Sequence, residues 1–151
     1  MFLLDAGLSF LHFSFAFVLV GALSAEAFVL HLPVDGRVAR LLLRIDLFYG
    51  ASAVGLILAG LARVLWGAKG WAYYAGQPFF WAKLAAFALI GLISIIPTMT
   101  YFRWVKAAAK DASHIVAEAE VKKVRRLAMI EVHLLALLLA FAALMARGIG
   151  G

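Results

Sequence analysis

The chain has 151 residues, of which 66% are hydrophobic and 15% are charged, whereas soluble domains are about 45–50% apolar and about 25% charged. A soluble fold of this length has too little interior for so much apolar surface, so lipid must cover the remainder. The formal net charge is +6, but the basic residues cluster between apolar segments, which is typical of membrane topology determinants and not of nucleic-acid binding. The absence of cysteine excludes disulfides, thiolate metal sites and thiolate-ligated or covalently attached haem.

Four apolar segments predict an all-α, multi-pass membrane protein that forms one four-helix transmembrane domain over residues 1–151. The predicted spans cover about 8–32, 46–66, 79–103 and 127–145, and each reaches the roughly 20 residues that about 30 Å of hydrocarbon requires. Ala25-Glu26-Ala27 fits a signal-peptide cleavage pattern, but the acidic Asp5 and the length of the apolar stretch favour a retained first span.

The basic residues predict the orientation of the bundle. Three arginines precede the second span, and seven basic residues lie between the third and fourth spans. They are Arg37, Arg40 and Arg44 in the first group and Arg103, Lys106, Lys110, Lys122, Lys123, Arg125 and Arg126 in the second. The positive-inside rule therefore places both loops in the cytoplasm and both termini outside, in a bacterial inner membrane. The stretch 104–126 is Ala-rich with charges at helical spacing, which predicts a cytoplasmic helical hairpin.

The predicted outer loop, 66–81, is rich in aromatic residues. It contains Trp71, Tyr73, Tyr74, Phe79 and Phe80. This composition predicts an aromatic belt at the lipid headgroups, with a quinone or porphyrin surface as the less favoured alternative.

Three basic side chains are predicted at one depth near the outer boundary. His12 and Lys83 each lie about four residues, or roughly 6 Å, inside a span, and Arg63 lies near the same level. Like charges repel, so a neutral His12 with a metal, or a carboxylated ligand, would make the group stable. The alternative is that Arg63 and Lys83 extend to the headgroups and His12 makes a helix contact. We prefer that alternative for Arg63, and a functional site for His12 with Lys83.

A second polar layer is predicted near the inner boundary. Its members have mixed signs, which predicts paired charges that fix the helix packing. The layer comprises Glu26, Arg44, Asp46, Arg103, Arg126, Glu131 and His133. Glu26 lies within about 40° of His12 around the helix axis, so one face of the first span carries both layers. The candidates are Glu26 and Lys83 for catalysis and His12, Lys83 and Arg63 for cofactor binding; a catalytic role for Lys83 is implied by a family resemblance and not by depth or helix face.

Small residues and histidines bear on whether the bundle could bind a flat cofactor such as haem. Gly50, Ala53 and Gly60 share a face with Asp46 and predict either a close helix contact, which is the commoner case, or room for a flat ligand. His12 and His133 differ in depth by roughly 15 Å, which excludes both as axial ligands of one haem iron. A single-histidine metal or haem site at His12 stays open.

The segments LHFSFAFVLVGALSAEAFVLHL and FFWAKLAAFALIGLISIIPTMTYFRW resemble an uncharacterised bacterial family of predicted four-span membrane proteins, and the likeness extends over nearly the whole chain. More distantly, the order of features is similar to the HemJ family of four-span, haem-b-associated protoporphyrinogen IX oxidases. His12 matches their early histidine, the arginine run their basic segment, and Trp81-Ala82-Lys83-Leu84 approximates their Trp-x-x-Lys element. This resemblance implies haem b, with His12 as iron ligand and Lys83 as the catalytic or propionate-facing base.

The sequence departs from the HemJ pattern at three places, one of which is IIPTMTYFRW in place of the histidine- and tyrosine-containing end of the third span. Trp81 stands two rather than three residues before Lys83, and Ile130-Glu131-Val132-His133 replaces the Glu-Ile-Pro element. Three functions stay open: a haem- or porphyrin-associated oxidoreductase, a non-enzymatic accessory or assembly subunit of a membrane complex, and a small transporter of a metal or anion. Four spans form a small pathway, so a transporter would need to form a homo-oligomer.

Overall fold

The computed structural model describes residues 2–148, so the predicted unit 1–151 extends beyond the described residues at both ends. The described part contains five helices: α1 (Phe2–Val29), α2 (Gly36–Trp66), α3 (Gly70–Ala75), α4 (Pro78–Lys110) and α5 (Glu118–Ala146). All but α3 are long enough and apolar enough to cross a membrane. The predicted all-α chain with four membrane-crossing helices is confirmed.

Three of the long helices, α2, α4 and α5, extend beyond the predicted apolar segments, whereas α1 ends at Val29, three residues before the predicted end of its span. α2 begins ten residues before its predicted span, where the Asp35 side chain accepts hydrogen bonds from the backbone N–H groups of Arg37 (2.9 Å) and Val38 (2.8 Å). Such a cap satisfies backbone donors that the first helical turn leaves free. α4 begins with Pro78, which suits a first turn. Residues 104–126 thus form the end of α4, a short connection and the start of α5.

The four long helices form a ring in the order α1, α2, α4, α5, with α5 returning to α1. Within the described residues, the diagonal pairs α1–α4 and α2–α5 make no close backbone contact. Consecutive long helices run in opposite directions because short connections join them. The fold is therefore an up-down bundle in which any α1–α4 or α2–α5 contact must be made by side chains that cross the interior.

Most of the apolar surface faces outward. Only 11% of the apolar window of α1 is buried within the protein, and the largest share, in α2, is 28%. Large side chains such as Phe17 (81% exposed) and Phe28 (77% exposed) have no protein cover. Exposed apolar surface on this scale is unfavourable in water. Lipid is therefore the solvent that fits this surface.

Two apolar clusters lie along the bundle interior. One lies beside the basic loops and contains Leu30, Tyr101 and Trp104. The other lies towards the termini and contains Leu19, Tyr49 and others. At the loop end, the backbone N–H of Val116 donates to the Val34 carbonyl (2.9 Å) and so ties the two basic loops together.

The predicted aromatic belt is divided in the structure. α3, which the sequence did not predict, places Tyr74 with Phe80 and Val64 in a buried cluster. Trp71 and Trp81 are half exposed and contact each other edge to face. Only part of the aromatic surface therefore faces the membrane interface.

Candidate functional site

Three carboxyl groups are buried at one level of the bundle, between the two apolar clusters. Glu26 of α1, Asp46 of α2 and Glu131 of α5 are only 2%, 4% and 2% exposed. Asp46 lies ten residues, or about 15 Å, from the start of α2, and Glu131 lies thirteen residues, or about 20 Å, from the start of α5. These side chains form the group that we call the carboxyl layer.

Two tyrosine hydroxyls reach the carboxyl layer across the ring of helices. The Tyr49 hydroxyl on α2 donates to Glu131 Oε2 on α5 (3.2 Å), and the Tyr101 hydroxyl on α4 donates to Glu26 Oε2 on α1 over a longer 3.4 Å. Both bonds join diagonal helices, whose backbones do not touch. The layer therefore links all four long helices through side chains alone.

The geometry at Thr98 bears on the protonation of Asp46. The Thr98 hydroxyl lies 3.0 Å from Asp46 Oδ1 and 3.0 Å from the Ser94 carbonyl oxygen. A hydroxyl has one hydrogen to donate, and the backbone carbonyl is only an acceptor. Both contacts are complete hydrogen bonds when Asp46 carries a proton and donates it to Thr98, while Thr98 donates to Ser94.

The carboxyl layer contains no basic partner among residues 2–148, so the predicted pairing of mixed charges is wrong. The ion pairs in this range are Arg103 with Glu120 and Lys122 with Glu118, all near the loops. Arg44, Arg126 and His133 are exposed, and the His133 Nδ1–H donates to the Met129 carbonyl oxygen (2.6 Å). The separation has a physical reason: long basic side chains reach water from a helix end, whereas shorter acidic ones stay in the interior.

The layer still has open hydrogen-bonding capacity. Glu26 Oε1 and Glu131 Oε1 are buried and have no hydrogen-bond partner. An ionised carboxylate without a partner is strongly disfavoured in a medium of low polarity. These oxygens therefore require a proton, a cation or water.

A cleft between α2 and α4 leads to the layer. Its volume is about 240 Å³, and polar groups of Asp46, Tyr49, Ser94 and Thr98 line one part of an otherwise apolar wall. Gly50 lines it as well, and a side chain at that position would meet no atom within 4 Å. The cleft is therefore mostly apolar, with its polar groups gathered around Asp46.

The predicted outer layer lies far from the carboxyl layer. The charges of Arg63 and Lys83 both act on the His12 ring, so the three side chains are near one another. Lys83 lies fifteen residues before Thr98 on α4, or about 22 Å along the helix. The structure thus groups His12 with Arg63 and Lys83, and does not bring the two catalytic candidates, Glu26 and Lys83, together.

The described residues around His12 provide only some of the groups that a haem site requires. His12 Nδ1 is buried without a partner, and two cations stand nearby for propionates. However, the ring packs on α2, where a Cβ at Gly60 would lie 3.3 Å from it, and the cleft between α2 and α4 is not lined by His12. Within the described residues, no three His, Asp or Glu side chains surround a point that would hold a metal ion. Among the described residues, His12 thus offers one ligand atom beside two cations.

The small-residue stripe on α2 is not one continuous surface. Gly60 allows the His12 ring to approach the backbone, whereas Gly50 lines the cleft. Sequence reasoning missed Tyr49, Thr98 and Tyr101. The available signal was that each is a hydroxyl inside an apolar span, where it requires a partner.

No curated protein and no solved structure matches the chain. The family described as a predicted membrane protein, DUF2214, matches residues 4–150, which is nearly the whole chain. Together with its four membrane-crossing helices, this match shows that the chain is a membrane protein that belongs to the DUF2214 family.

Proposed function

We propose that the bundle binds and releases protons at the carboxyl layer and uses them to drive the movement of a small solute across the membrane. The supporting observation is that three carboxyl groups from three helices are buried together with hydroxyl partners and, within residues 2–148, form no ion pair with a basic side chain. Ionisable groups inside membranes are costly and usually belong to ion or proton pathways.

The proton is the cation that best suits this arrangement. The described carboxyl groups do not surround a common point for a metal ion, whereas each can take a proton by itself. The hydrogen bonds of Thr98 are complete with a protonated Asp46. Asp46 lines the cleft between α2 and α4, so a proton would reach it there without crossing the buried interior of the bundle.

The first experiment measures proton occupancy directly. Infrared difference spectra of the protein in lipid, recorded between two pH values, should contain protonated-carboxyl bands that lose intensity in Glu26→Gln, Asp46→Asn and Glu131→Gln. The control is Glu118→Gln, because Glu118 is exposed and paired with Lys122. Spectra in which the three variants do not differ from the control would refute proton binding at the layer.

The second experiment measures transport. Liposomes that contain the protein and an internal pH-sensitive dye should take up protons when a membrane potential is imposed, and Glu26→Gln should abolish the uptake while Glu118→Gln retains it. If the infrared bands respond but no uptake occurs with any offered solute, the layer binds protons without transport. The protein would then act as an accessory subunit.

We propose a haem-b-associated oxidoreductase as the second candidate, because His12 Nδ1 is buried without a partner beside Arg63 and Lys83. Haem would supply electron transfer, with His12 as the iron ligand and the two cations at the propionates. The test is an absorption spectrum of the detergent-purified protein, oxidised and then reduced. A Soret band that disappears in His12→Ala would support this candidate, and a spectrum without the band would refute it.

A further inference from the structure

A second cavity lies on the outside of the bundle, between α1 and α5 at the end that bears the basic loops. Its volume is about 650 Å³, larger than that of the cleft at the carboxyl layer. One part of its wall is basic and the other apolar. The lining is formed by Ser24, Ala27, Phe28 and His31 from α1 and the residues that follow it, and by Lys122, Arg125, Arg126, Met129 and Val132 from α5.

The basic part of this groove carries uncompensated positive charge. Lys122 is paired with Glu118 (2.9 Å), but within residues 2–148 neither Arg125 nor Arg126 makes an ion pair. The two arginines are adjacent on α5 and both line the same cavity. Arginine pairs readily with phosphate through its planar set of donors.

His31 adds a directed hydrogen-bonding group. Its Nδ1–H donates to the Ala27 carbonyl oxygen (2.8 Å), which fixes the ring orientation. A neutral ring that donates from Nδ1 carries a lone pair on Nε2, so it offers an N–H to an anion only as the protonated imidazolium. The arginines are therefore the groups that would hold an anion in this groove, which His31 lines beyond the end of α1.

The apolar part of the groove continues towards the membrane interior. Met129 and Val132 lie one to two turns further along α5 than Arg125, and Phe28 on α1 is 77% exposed. Arg126 lies five residues, or about 7.5 Å, from Glu131 along the helix axis. The lining of the groove therefore changes from basic to apolar over about the same depth at which a lipid changes from headgroup to acyl chain.

We propose that this groove binds a phospholipid with an anionic headgroup. The phosphate would contact Arg125 and Arg126, and an acyl chain would lie along Phe28 and Met129. A soluble anion would use the cations but would leave the apolar wall uncovered, so the groove fits a lipid better. The inference concerns a different surface from the carboxyl layer and is independent of the proposed transport.

The experiment is native mass spectrometry of the detergent-solubilised protein, titrated with phosphatidylglycerol and with phosphatidylcholine of the same acyl chains. The wild-type protein should retain the anionic lipid at much lower concentration. The double variant Arg125→Gln/Arg126→Gln should bind it about 30-fold more weakly, which is the effect of removing two basic side chains at an anionic surface. Arg125→Lys/Arg126→Lys should lose less, because the charge is kept.

The matched control is Lys106→Gln/Lys110→Gln, which removes two exposed charges from α4 at the same end of the bundle. This variant should bind phosphatidylglycerol as the wild type does. Equal weakening in both Gln pairs would indicate general attraction to charge and would overturn the proposed site. Displacement of the lipid by glycerol phosphate at equal concentration would assign the groove to a soluble anion and would also overturn it.

Discussion

The hydrogen bond between Tyr49 and Glu131 allows the packing role of the carboxyl layer to be measured. Tyr49→Phe removes one oxygen and keeps the ring, which is 5% exposed and packed in the apolar cluster near the termini. Glu131 Oε1 already has no partner, so this change leaves both of its oxygens without one. We therefore expect the variant to be less stable than the wild type.

The expected change in the free energy of unfolding follows from Glu131, which loses its hydrogen-bond donor in this variant. A buried acceptor that loses its donor costs about 1–3 kcal/mol in proteins generally. In membrane proteins the net coupling of such pairs averages about 0.6 kcal/mol and reaches at most about 1.7 kcal/mol, because the unfolded chain finds other partners. The bond here is 3.2 Å long, which is not short. We expect Tyr49→Phe to lower the free energy of unfolding by about 1 kcal/mol.

The assay is equilibrium unfolding in mixed micelles, with a double-mutant cycle that combines Tyr49→Phe and Glu131→Leu. The coupling energy should be about 0.6 kcal/mol and non-zero. Tyr73→Phe is the control, because the Tyr73 hydroxyl bonds only to exposed Lys69 (3.1 Å) and its loss should change stability by less than about 0.5 kcal/mol. Additive effects in the cycle, or equal losses in the two tyrosine variants, would refute a diagonal bond.

Three further predictions concern packing, capping and topology. Gly55→Ala should destabilise the fold by about 1–3 kcal/mol relative to Gly50→Ala. The reason is that a Cβ at Gly55 would lie 2.5 Å from the Phe15 ring, whereas a Cβ at Gly50 would have no atom within 4 Å. Equal unfolding free energies of the two variants would contradict this prediction. The N–H of Val38 bonded to Asp35 holds the pKa of that carboxyl below its usual range. The stabilisation of the fold by Asp35 is therefore complete above the ordinary aspartate pKa and is lost as the pH falls through the lowered pKa of the folded protein. In Asp35→Asn, acid titration should show no loss of stability from this group. Single cysteines at Ser113 and Lys69 should be labelled from opposite sides of the membrane, with Ser113 cytoplasmic, and labelling of Ser113 from outside would reverse the orientation.

The four membrane-crossing helices could be predicted because lipid imposes a simple rule on sequence. A span needs about 20 apolar residues whatever its neighbours are, so each helix is visible in the sequence by itself. The helix ends were less visible. α2 begins ten residues before its apolar segment because Asp35 provides a cap. The end of a helix that lies in water is polar, so a hydropathy pattern does not reveal it.

The sequence predicted which acidic residues form the candidate site, but it did not predict the hydrogen bonds between them and their partners. The burial of Glu26, Asp46 and Glu131 follows from the cost of polar groups in hydrocarbon, and all three were singled out. Their segregation from arginine was not predicted, because depth alone does not show which side of a helix faces the interior. The tyrosine partners belong to diagonal helices, and only the arrangement of the four helices identifies diagonals.

The neighbourhood of Asp46 connects proton binding to the shape of α4. Thr98 follows Pro97, which has no backbone N–H and so leaves the Ile93 carbonyl without its helical partner. With a protonated Asp46, Thr98 donates to the Ser94 carbonyl, a type of side-chain bond that often bends a helix. With an ionised Asp46, the stronger acceptor draws the same hydrogen away from Ser94. Loss of one proton on α2 would therefore change the hydrogen bonding of α4 beside Pro97 and the cleft, and a transporter that is driven by protons requires this kind of link between occupancy and helix geometry.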